Sequence, residues 1–210
     1  MTRILLVDDH AVVRQGLKQI LAESLPDSAF GDAANGEEAL EKTGASSWDI
    51  VVLDISLPGK SGLDTLKELR AAHPKLPVLV LSMHPEEQFA VRALRAGAAG
   101  YLTKRTAAKD LVAAVKKLLA GGRYISSSLA DRLAAVIGSH REGAPHELLS
   151  DREYQVFRML ATGKSVKEIS QELSLSPQTV STHRIHILEK MGMETNAELI
   201  QYAMQNQILE

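Results

Sequence analysis

The sequence predicts an α/β fold with a doubly wound, five-stranded parallel sheet, followed by a small all-α domain of four helices. Three observations support this prediction. Short apolar runs alternate with helical patterns five times within the first 120 residues. Such runs are typical of strands buried on both faces of a parallel sheet, with helices in the right-handed crossovers. After residue 148 only helical periodicity and helix-capping signals occur.

The five predicted strands are short. They cover residues 3–7, 28–34, 50–53, 78–81 and 98–102, of which the second is the weakest. A helical pattern follows each of them. Asn35-Gly36-Glu37-Glu38 opens the second helix, and the fourth helix is expected to begin near Pro85. Strand and helix units that alternate in this way indicate helices on both faces of the sheet.

A linker separates the two predicted domains. Two glycines end the fifth helix, and residues 126–137 have the pattern of one more short helix. Residues 138–145 combine glycine, serine, charged residues and proline, which is typical of a flexible linker. The predicted domains are residues 1–120 and 148–210, joined by a linker with a short helix at 121–147.

Capping signals divide the second domain into helices. Ser150 and Glu153 have the spacing of a capping box, in which each side chain accepts a hydrogen bond from the backbone of the other. Ser176, followed by proline, is a typical start for the third helix. The second and third helices, with a short turn between them, form a predicted helix-turn-helix within residues 165–191.

Composition excludes several classes of protein. Hydrophobic residues make up 45% and charged residues 24% of the 210 residues, as in ordinary globular proteins. No run approaches the roughly 18 apolar residues of a membrane span, and the N-terminus lacks a signal-peptide pattern. The chain has no cysteine, which excludes disulfides and thiolate metal sites. We therefore expect a cytoplasmic protein without membrane association.

Polar side chains follow four of the five predicted strands. Asp8 and Asp9 follow the first, Asp54 the third, Ser82 the fourth and Lys104 the fifth. Ligands bind beyond the carboxyl ends of the strands in an open α/β sheet, so we expect these groups to converge. Neighbouring carboxylates repel one another and suit Mg²⁺, while a hydroxyl and an ammonium suit a phosphoryl group. The set predicts a phosphorylation site, although each residue alone is also common at strand ends.

These motifs resemble the receiver domain of two-component response regulators. The matching segments are Val7-Asp8-Asp9-His10, Leu53 to Gly62, Leu81-Ser82-Met83-His84 and Gly97 to Lys104. The resemblance implies a flavodoxin-like receiver in which Asp54 accepts a phosphoryl group from a sensor histidine kinase. It implies that Asp8, Asp9, Asp54 and the backbone carbonyl of Ser56 hold Mg²⁺. It also implies that Ser82 and Lys104 bind the phosphoryl group.

Two further residues near this site have alternative interpretations. The resemblance implies that Tyr101 is an aromatic switch, which turns inward when Ser82 moves toward the phosphoryl group. Tyr101 is otherwise an ordinary half-buried aromatic residue of the fifth strand. We expect His10 at the solvent edge or at a helix start rather than in catalysis. The phosphodonor histidine must then belong to a partner.

The third helix of the second domain has one apolar face. Val180, Ile187 and Met191 share the side that is expected to pack inward. The opposite side carries Gln178, Thr182, Ile185 and Glu189, with His183, Arg184 and Lys190 flanking it within reach of DNA phosphates. Residues 148–210 carry 6 basic and 8 acidic side chains, so DNA binding must come from a local arrangement. A four-helix interaction module without DNA binding is the alternative.

The second domain resembles the LuxR-type helix-turn-helix. The matching segments are Leu149 to Glu153, Lys167 to Ser170, Leu175 to His183 and Leu188 to Gly192. Together with the receiver, they make the whole chain similar to NarL/FixJ-type response regulators. The resemblance implies that Ser181, Thr182 and Ile185 face the major groove and that Thr179, His183 and Lys190 lie toward phosphates. It also implies that the last helix, which begins near Thr195, forms a dimer contact.

The implied function is transcription regulation. Phosphorylation of Asp54 is expected to favour a homodimer that binds promoter DNA. The protein accepts phosphate and can lose it by autodephosphorylation, but we do not expect an enzyme. A Mg²⁺-dependent phosphatase or nucleotide enzyme is a weaker interpretation, because the chain has no glycine-rich phosphate loop and Asp54-x-Ser56 lacks a second aspartate. A receiver with a protein-interaction output is a third class.

Overall fold

The computed structural model describes residues 1–83, 86–126, 129–130, 144–206 and 208–209. The chain forms two compact units, residues 1–138 and residues 139–210. The division between them falls inside the predicted linker. We refer to them as the receiver unit and the helical unit.

The receiver unit contains the five predicted strands. They are β1 (Thr2–Val7), β2 (Ser28–Ala33), β3 (Ile50–Asp54), β4 (Val78–Ser82) and β5 (Gly100–Thr103). All neighbouring strands run parallel, in the order β2-β1-β3-β4-β5. The order reverses direction at β1, which is the arrangement of a doubly wound sheet. The predicted fold class is therefore confirmed.

Four helices connect successive strands of this sheet, and a fifth follows β5. They are α1 (Ala11–Ser24), α2 (Gly36–Ala45), α3 (Gly62–Ala72), α4 (Glu86–Arg95) and α5 (Lys104–Leu119). Asn35 caps α2 by accepting a hydrogen bond from the Glu38 backbone amide at 2.9 Å, and the Glu38 carboxylate accepts the Ala34 amide at 3.0 Å. The predicted start of α4 at Pro85 and most of the predicted helix at 126–137 lie outside the described residues.

Strand register places the polar groups at one edge of the sheet. Every residue of β3 and β4 is buried, as expected for central strands covered on both faces. Val7 pairs with Leu53, Asp54 pairs with Leu81, and Ser82 pairs with Thr103. The carboxyl ends of β1, β3, β4 and β5 are therefore level, so the residues that follow them lie close together.

The helical unit begins with a 3₁₀ turn at Pro145–Leu148. Its helices are α6 (Asp151–Ala161), α7 (Val166–Glu172), α8 (Pro177–Met191) and α9 (Asn196–Gln205). The core consists of fully buried side chains from all four helices, among them Phe157, Ile169, Ile187 and Leu199. Among the described residues of the whole chain, no helix combines the length and the apolar character needed to cross a membrane.

Local signals explain where these helices start and end. The predicted capping box between Ser150 and Glu153 is present. A second box, between Ser165 and Glu168, opens α7 and was not predicted. Ser176 caps α8 as expected, and Gly192 ends it in the left-handed conformation with φ of 65°. These caps hold the turn between α7 and α8 and so determine how α8 is presented.

Candidate phosphorylation site and DNA interface

Two buried carboxylates and one ammonium form the centre of the receiver site. Asp8 follows β1 and is 1% exposed, whereas Asp54 ends β3 and is 2% exposed. Lys104 opens α5, directly after β5, and its Nζ lies 2.6 Å from Asp8 Oδ2 and 2.8 Å from Asp54 Oδ2. Residues up to 96 positions apart in sequence therefore meet at one point. For Asp8, Asp54 and Lys104 the convergence predicted from the strand ends is present.

The loop after β3 is folded tightly back onto Asp54. The backbone amide of Ser56 donates a hydrogen bond to Asp54 Oδ1 at 3.0 Å. A Cβ atom at Gly62 would lie 2.1 Å from the carbonyl oxygen of Asp54, so only glycine fits there. Ser61 caps α3 one residue earlier. This turn fixes the Asp54 carboxylate, with one oxygen held by the backbone and the other facing Lys104.

The charges of this centre are only partly balanced. Burial raises the pKa of Asp54, and the nearby Lys104 ammonium opposes that shift without cancelling it. Burial alone would lower the pKa of Lys104, but the carboxylates of Asp54 and Asp8 outweigh it and raise the pKa above its usual value. Lys104 is therefore a cation at neutral pH. One cation faces two carboxylates here, with a third, exposed carboxylate from Asp9 beside them.

The residues present fit a divalent cation. Side-chain ligand atoms of Asp8, Asp9 and His10 all lie within 4.8 Å of one another. Asp8 Oδ2 is buried, and its contact with Lys104 is an ion pair without good hydrogen-bond alignment. The excess negative charge and this incompletely satisfied oxygen suit a hard cation such as Mg²⁺. Receiver domains generally bind Mg²⁺ at an acidic pocket of this kind.

His10 lies at the helix start, as the sequence predicts. It occupies the N-cap position of α1, and its side chain is 68% exposed. Its Nδ1 lies 2.7 Å from Asp9 Oδ1. The imidazole is therefore closer to the acidic cluster than sequence reasoning indicated. The only signal for that contact in the sequence was that His10 directly follows Asp9.

Ser82 and Tyr101 lie beside the acidic centre on β4 and β5. Both are 0% exposed. Tyr101 pairs with Val80 and Ser82 pairs with Thr103, so the two side chains belong to neighbouring, hydrogen-bonded strands. The interpretation of Tyr101 as a half-buried aromatic is wrong, because its ring lies entirely within the packed interior.

Helix α8 has the predicted two faces. Val180, Ile187 and Met191 are buried against the rest of the helical unit. The exposed side carries Gln178, Thr179, Ser181, Thr182 and Ile185, while His183 and Arg184 are half-buried at its border. Ile185 is 52% exposed, which is unusual for a large apolar side chain. This face is available for contact with another molecule.

Two predicted phosphate contacts are already engaged within the helical unit. Lys190 Nζ donates to both carboxylate oxygens of Glu153, at 2.9 and 2.7 Å. Arg184 Nε donates to Asn196 Oδ1 at 2.7 Å, which joins α8 to the start of α9. Lys190 and Arg184 thus also anchor α8, a role that the sequence analysis missed. Glu153 was recognised only as a capping residue, and nothing in the local sequence identified Asn196.

His183 contributes less positive charge than a surface histidine would. Burial lowers its pKa, and the neighbouring Arg152 lowers it further. The imidazole is therefore neutral at pH 7. Any attraction of His183 to a DNA phosphate is then a hydrogen bond rather than an ion pair.

Comparison with known proteins agrees with both units. The family described as "Response regulator receiver domain" matches residues 4–116, and "Bacterial regulatory proteins, luxR family" matches residues 147–203. The response regulator GacA of Pseudomonas viridiflava is 37% identical over 211 residues, covering 100% of this chain and 99% of that protein. The response regulator UvrY of Escherichia coli K12 is 34% identical, covering 98% and 95%.

A solved structure resembles this chain over nearly its whole length. RcsB from Salmonella enterica serovar Typhimurium, bound to promoter P1flhDC in the presence of phosphomimetic BeF3-, is 25% identical. The match covers 96% of this chain and 97% of that chain, with a TM-score of 0.59. The resemblance drawn from the sequence motifs is confirmed over both units. This chain therefore belongs to the NarL/FixJ-type response regulators, transcription regulators in which a receiver domain is followed by a LuxR-type DNA-binding domain.

Proposed function

We propose that a sensor histidine kinase phosphorylates Asp54 and that this phosphorylation switches a cytoplasmic homodimer onto promoter DNA. One observation carries the proposal. Asp54 is the only buried carboxylate of the described residues that ends a central strand and shares an ammonium with a second buried carboxylate, that of Asp8. Such a group can act as a nucleophile toward phosphorus only where nearby positive charge offsets its own.

The phosphoryl transfer uses groups that are already in place. An Asp54 carboxylate oxygen attacks the phosphorus of a phosphohistidine, the new O–P bond forms, and the N–P bond of the donor breaks. Mg²⁺, held by Asp8, Asp9, Asp54 and the Ser56 carbonyl, would supply charge neutralisation at the phosphoryl oxygens. Lys104 already touches Asp54 and needs only a small movement to follow the phosphoryl group.

Residues of the neighbouring strands respond to phosphorylated Asp54. We infer that the Ser82 hydroxyl, at the end of β4, donates a hydrogen bond to a phosphoryl oxygen on Asp54, which ends the adjacent strand β3. Ser82 has no exposed surface, so its movement must be accommodated by its packed neighbours. Tyr101 on β5 is the aromatic residue that adjusts. The active state is then favoured because its contacts to phosphate are absent from the inactive state.

The exposed face of α8 is the proposed DNA-reading surface. Thr182 and Ser181 offer hydroxyls to base edges, and Ile185 offers apolar contact such as that with a thymine methyl. Thr179 and His183 border this face on the phosphate side. The RcsB structure with promoter DNA supports a DNA-binding role for this type of unit. The last helix, α9, is the proposed dimer contact.

The protein is proposed to be a phosphate acceptor rather than an enzyme that releases a product. The phosphoryl group stays on Asp54 until water hydrolyses the acyl phosphate. An aspartyl-phosphate phosphatase would need a second aspartate two residues beyond the nucleophile, where this chain has Ser56. Hydrolysis of Asp54 phosphate is therefore expected to be slow, which suits a regulator that must hold its state.

Phosphate uptake tests the site directly. The full chain is incubated with a small acyl phosphate and Mg²⁺, and its intact mass is measured. We expect one added phosphate for the wild-type protein and for Asp64→Asn, a half-buried control carboxylate on α3. We expect none for Asp54→Asn or for wild type in EDTA. An Asp54→Asn protein that still gains one phosphate would refute the assignment of Asp54 as the phosphoacceptor.

DNA binding tests the output. The affinity for one natural promoter site is measured at fixed salt, with and without phosphorylation, together with the oligomeric state. We expect phosphorylation to tighten binding by roughly 10²-fold through dimer avidity. Equal affinities of phosphorylated and unphosphorylated protein would show that the receiver unit does not gate DNA binding.

A further inference from the structure

The chain does not leave the receiver unit when α5 ends. The Tyr124 amide donates a hydrogen bond to the Ala99 carbonyl at 3.0 Å, and Tyr124 forms a parallel bridge with Gly100. Residues 123–126, which we call the strap, thus continue along the outer side of β5. An uncovered edge strand exposes unpaired backbone groups, and the strap satisfies some of those of β5. The sequence analysis had assigned this segment to the linker.

The strap approaches β5 so closely that glycine is required opposite it. A Cβ atom at Gly100 would lie 2.9 Å from the Tyr124 carbonyl oxygen and 3.0 Å from Tyr124 Cβ. Beyond the strap, Leu129 is buried in the receiver unit with 1% exposure. The Ala130 amide donates to the Ser126 carbonyl at 3.0 Å. The segment is therefore packed against the receiver unit and is not a free tether at this point.

A side-chain contact joins the strap to α4. The Ser126 hydroxyl donates a hydrogen bond to the Glu86 carboxylate. The same hydroxyl oxygen accepts the Leu129 amide at 3.2 Å. Glu86 is the first residue of α4, and the connection from β4 to α4 starts directly after Ser82. Glu86 therefore lies four residues after Ser82, whose hydroxyl is proposed to bind the phosphoryl group.

Free space adjoins this contact. Glu86, Tyr124 and Ser126 line a cavity of about 410 Å³ together with residues of β5 and α5, including Thr106 and Asp110. Burial raises the pKa of Tyr124, and the carboxylates of Asp110 and Glu86 raise it further, so the phenol stays neutral. The cavity gives the first turn of α4 room to shift without steric overlap with the strap.

We propose that Glu86 and Ser126 form a latch that holds the strap on β5 in the unphosphorylated protein and opens when Ser82 is drawn toward phosphorylated Asp54. The inference rests on the proposed function. Movement of Ser82 pulls on the start of α4, which separates Glu86 from Ser126. The strap then loses this contact to α4, and its hold on the receiver unit is reduced to its backbone bonds at the β5 edge and the packing of Tyr124. Glu86 and Ser126 are positioning residues, because they touch neither phosphate nor DNA.

Release of the strap, together with Leu129 that follows it, lengthens the connection to the helical unit. The strap alone contributes four residues, or roughly 14 Å when extended. A longer tether gives two helical units more ways to reach both half-sites of a DNA operator at once. The latch thus offers a route from Asp54 to DNA that needs no fixed contact between the two units.

Hydrogen exchange of the strap amides tests the latch in the full chain. Four proteins are compared, unphosphorylated and phosphorylated: wild type, Ser126→Ala, Glu86→Ala and the double variant. Ser47→Ala, an exposed serine elsewhere in the receiver unit, is the control. A hydrogen bond to a charged group contributes enough for about a tenfold change in local opening. We expect wild-type strap exchange to rise about tenfold on phosphorylation.

The variants distinguish a latch from a merely structural contact. Ser126→Ala and Glu86→Ala should already exchange about tenfold faster without phosphate, and the double variant no faster than either, because all three lack the same contact. Ser126→Ala should take up phosphate at the wild-type rate but bind DNA more tightly than wild type before phosphorylation. Ser47→Ala should match wild type throughout.

Different experimental results refute the latch and the proposed function. If wild type gains phosphate and binds DNA more tightly while strap exchange stays constant, the latch is refuted and the proposed function stands. If the two single variants have additive effects, Glu86 and Ser126 act separately and the latch is also refuted. If phosphorylation speeds strap exchange but leaves DNA affinity unchanged, the latch is supported and the proposed gating of DNA binding fails.

Discussion

Removing the Lys104 ammonium should expose how strongly the receiver site depends on it. Lys104 is 12% exposed and contacts two carboxylates that are 2% exposed. Lys104→Met keeps the unbranched shape and most of the length of the side chain, and leaves Asp8 and Asp54 without a counter-charge. Breaking a buried pair in this way costs about 3–5 kcal/mol, and the partial solvent access of Lys104 favours the lower end. We therefore expect a loss of about 3 kcal/mol in the unfolding free energy without metal.

The assay uses the single tryptophan of the chain. Trp48 lies in the receiver unit, so its fluorescence during urea unfolding reports that unit alone. With an m-value of about 1.5 kcal/mol/M, the expected loss lowers the midpoint by about 2 M urea in EDTA. Lys60→Met removes an exposed pair with Glu68, at 2.9 Å, and should change stability by less than about 1 kcal/mol.

A double-mutant cycle isolates the pair. Asp54→Asn removes one of the two carboxylates, so Lys104→Met should be less damaging in that background, with a coupling energy of about 2 kcal/mol. Saturating Mg²⁺ should restore part of the stability of Lys104→Met, because a bound cation supplies the missing charge. Additive effects within about 0.5 kcal/mol, with no recovery in Mg²⁺, would show that Lys104 does not pair with Asp54 in solution.

Three further predictions concern the helical unit. Lys190→Gln should lower its unfolding free energy by about 1–2 kcal/mol by leaving buried Glu153 unpaired, while the salt dependence of DNA binding stays unchanged. A salt slope reduced by about one unit would instead make Lys190 a phosphate contact. Because the folded-state pKa of His183 is lowered, stability followed by circular dichroism should fall as pH drops below about 6.5. His183→Gln should abolish that dependence, and an unchanged pH profile would contradict the burial argument. Arg184→Ala should weaken binding to all DNA sequences alike, whereas Thr182→Ala should change the preferred sequence in a binding-site selection.

Most of the fold follows from patterns of short range. Continuous apolar runs identify the buried strands, and capping residues such as Asn35, Ser150 and Ser176 set helix starts because their bonds span only three residues. The receiver site was also predictable, since parallel topology brings strand ends together whatever the intervening sequence. Only the alignment of Asp54 and Ser82 along their neighbouring strands could not be predicted, because it depends on the strand register.

Contacts between distant elements were not predictable. Lys190 reaches Glu153 across 37 residues, and Ser126 reaches Glu86 across 40. Whether a basic side chain on α8 points to DNA or to a neighbouring helix depends on packing, which helical periodicity alone does not determine. The strap was missed for a related reason. Its pairing depends on the free edge of β5 and on Gly100, and a single bridge leaves no alternating pattern in sequence.

The Lys190–Glu153 contact and the Lys104–Asp54 contact have opposite consequences. Burial raises the pKa of Glu153, but hydrogen bonds from Lys190 and from Ser150 outweigh it, and the pKa falls below its usual value. That carboxylate is fully satisfied and holds α8 in place. At Asp54 burial outweighs the ammonium of Lys104, and the pKa is raised. An ionised carboxylate whose charge is only partly balanced is stabilised by an additional cation. The same pair of residue types is therefore a fixed anchor in the helical unit and a switchable contact in the receiver unit.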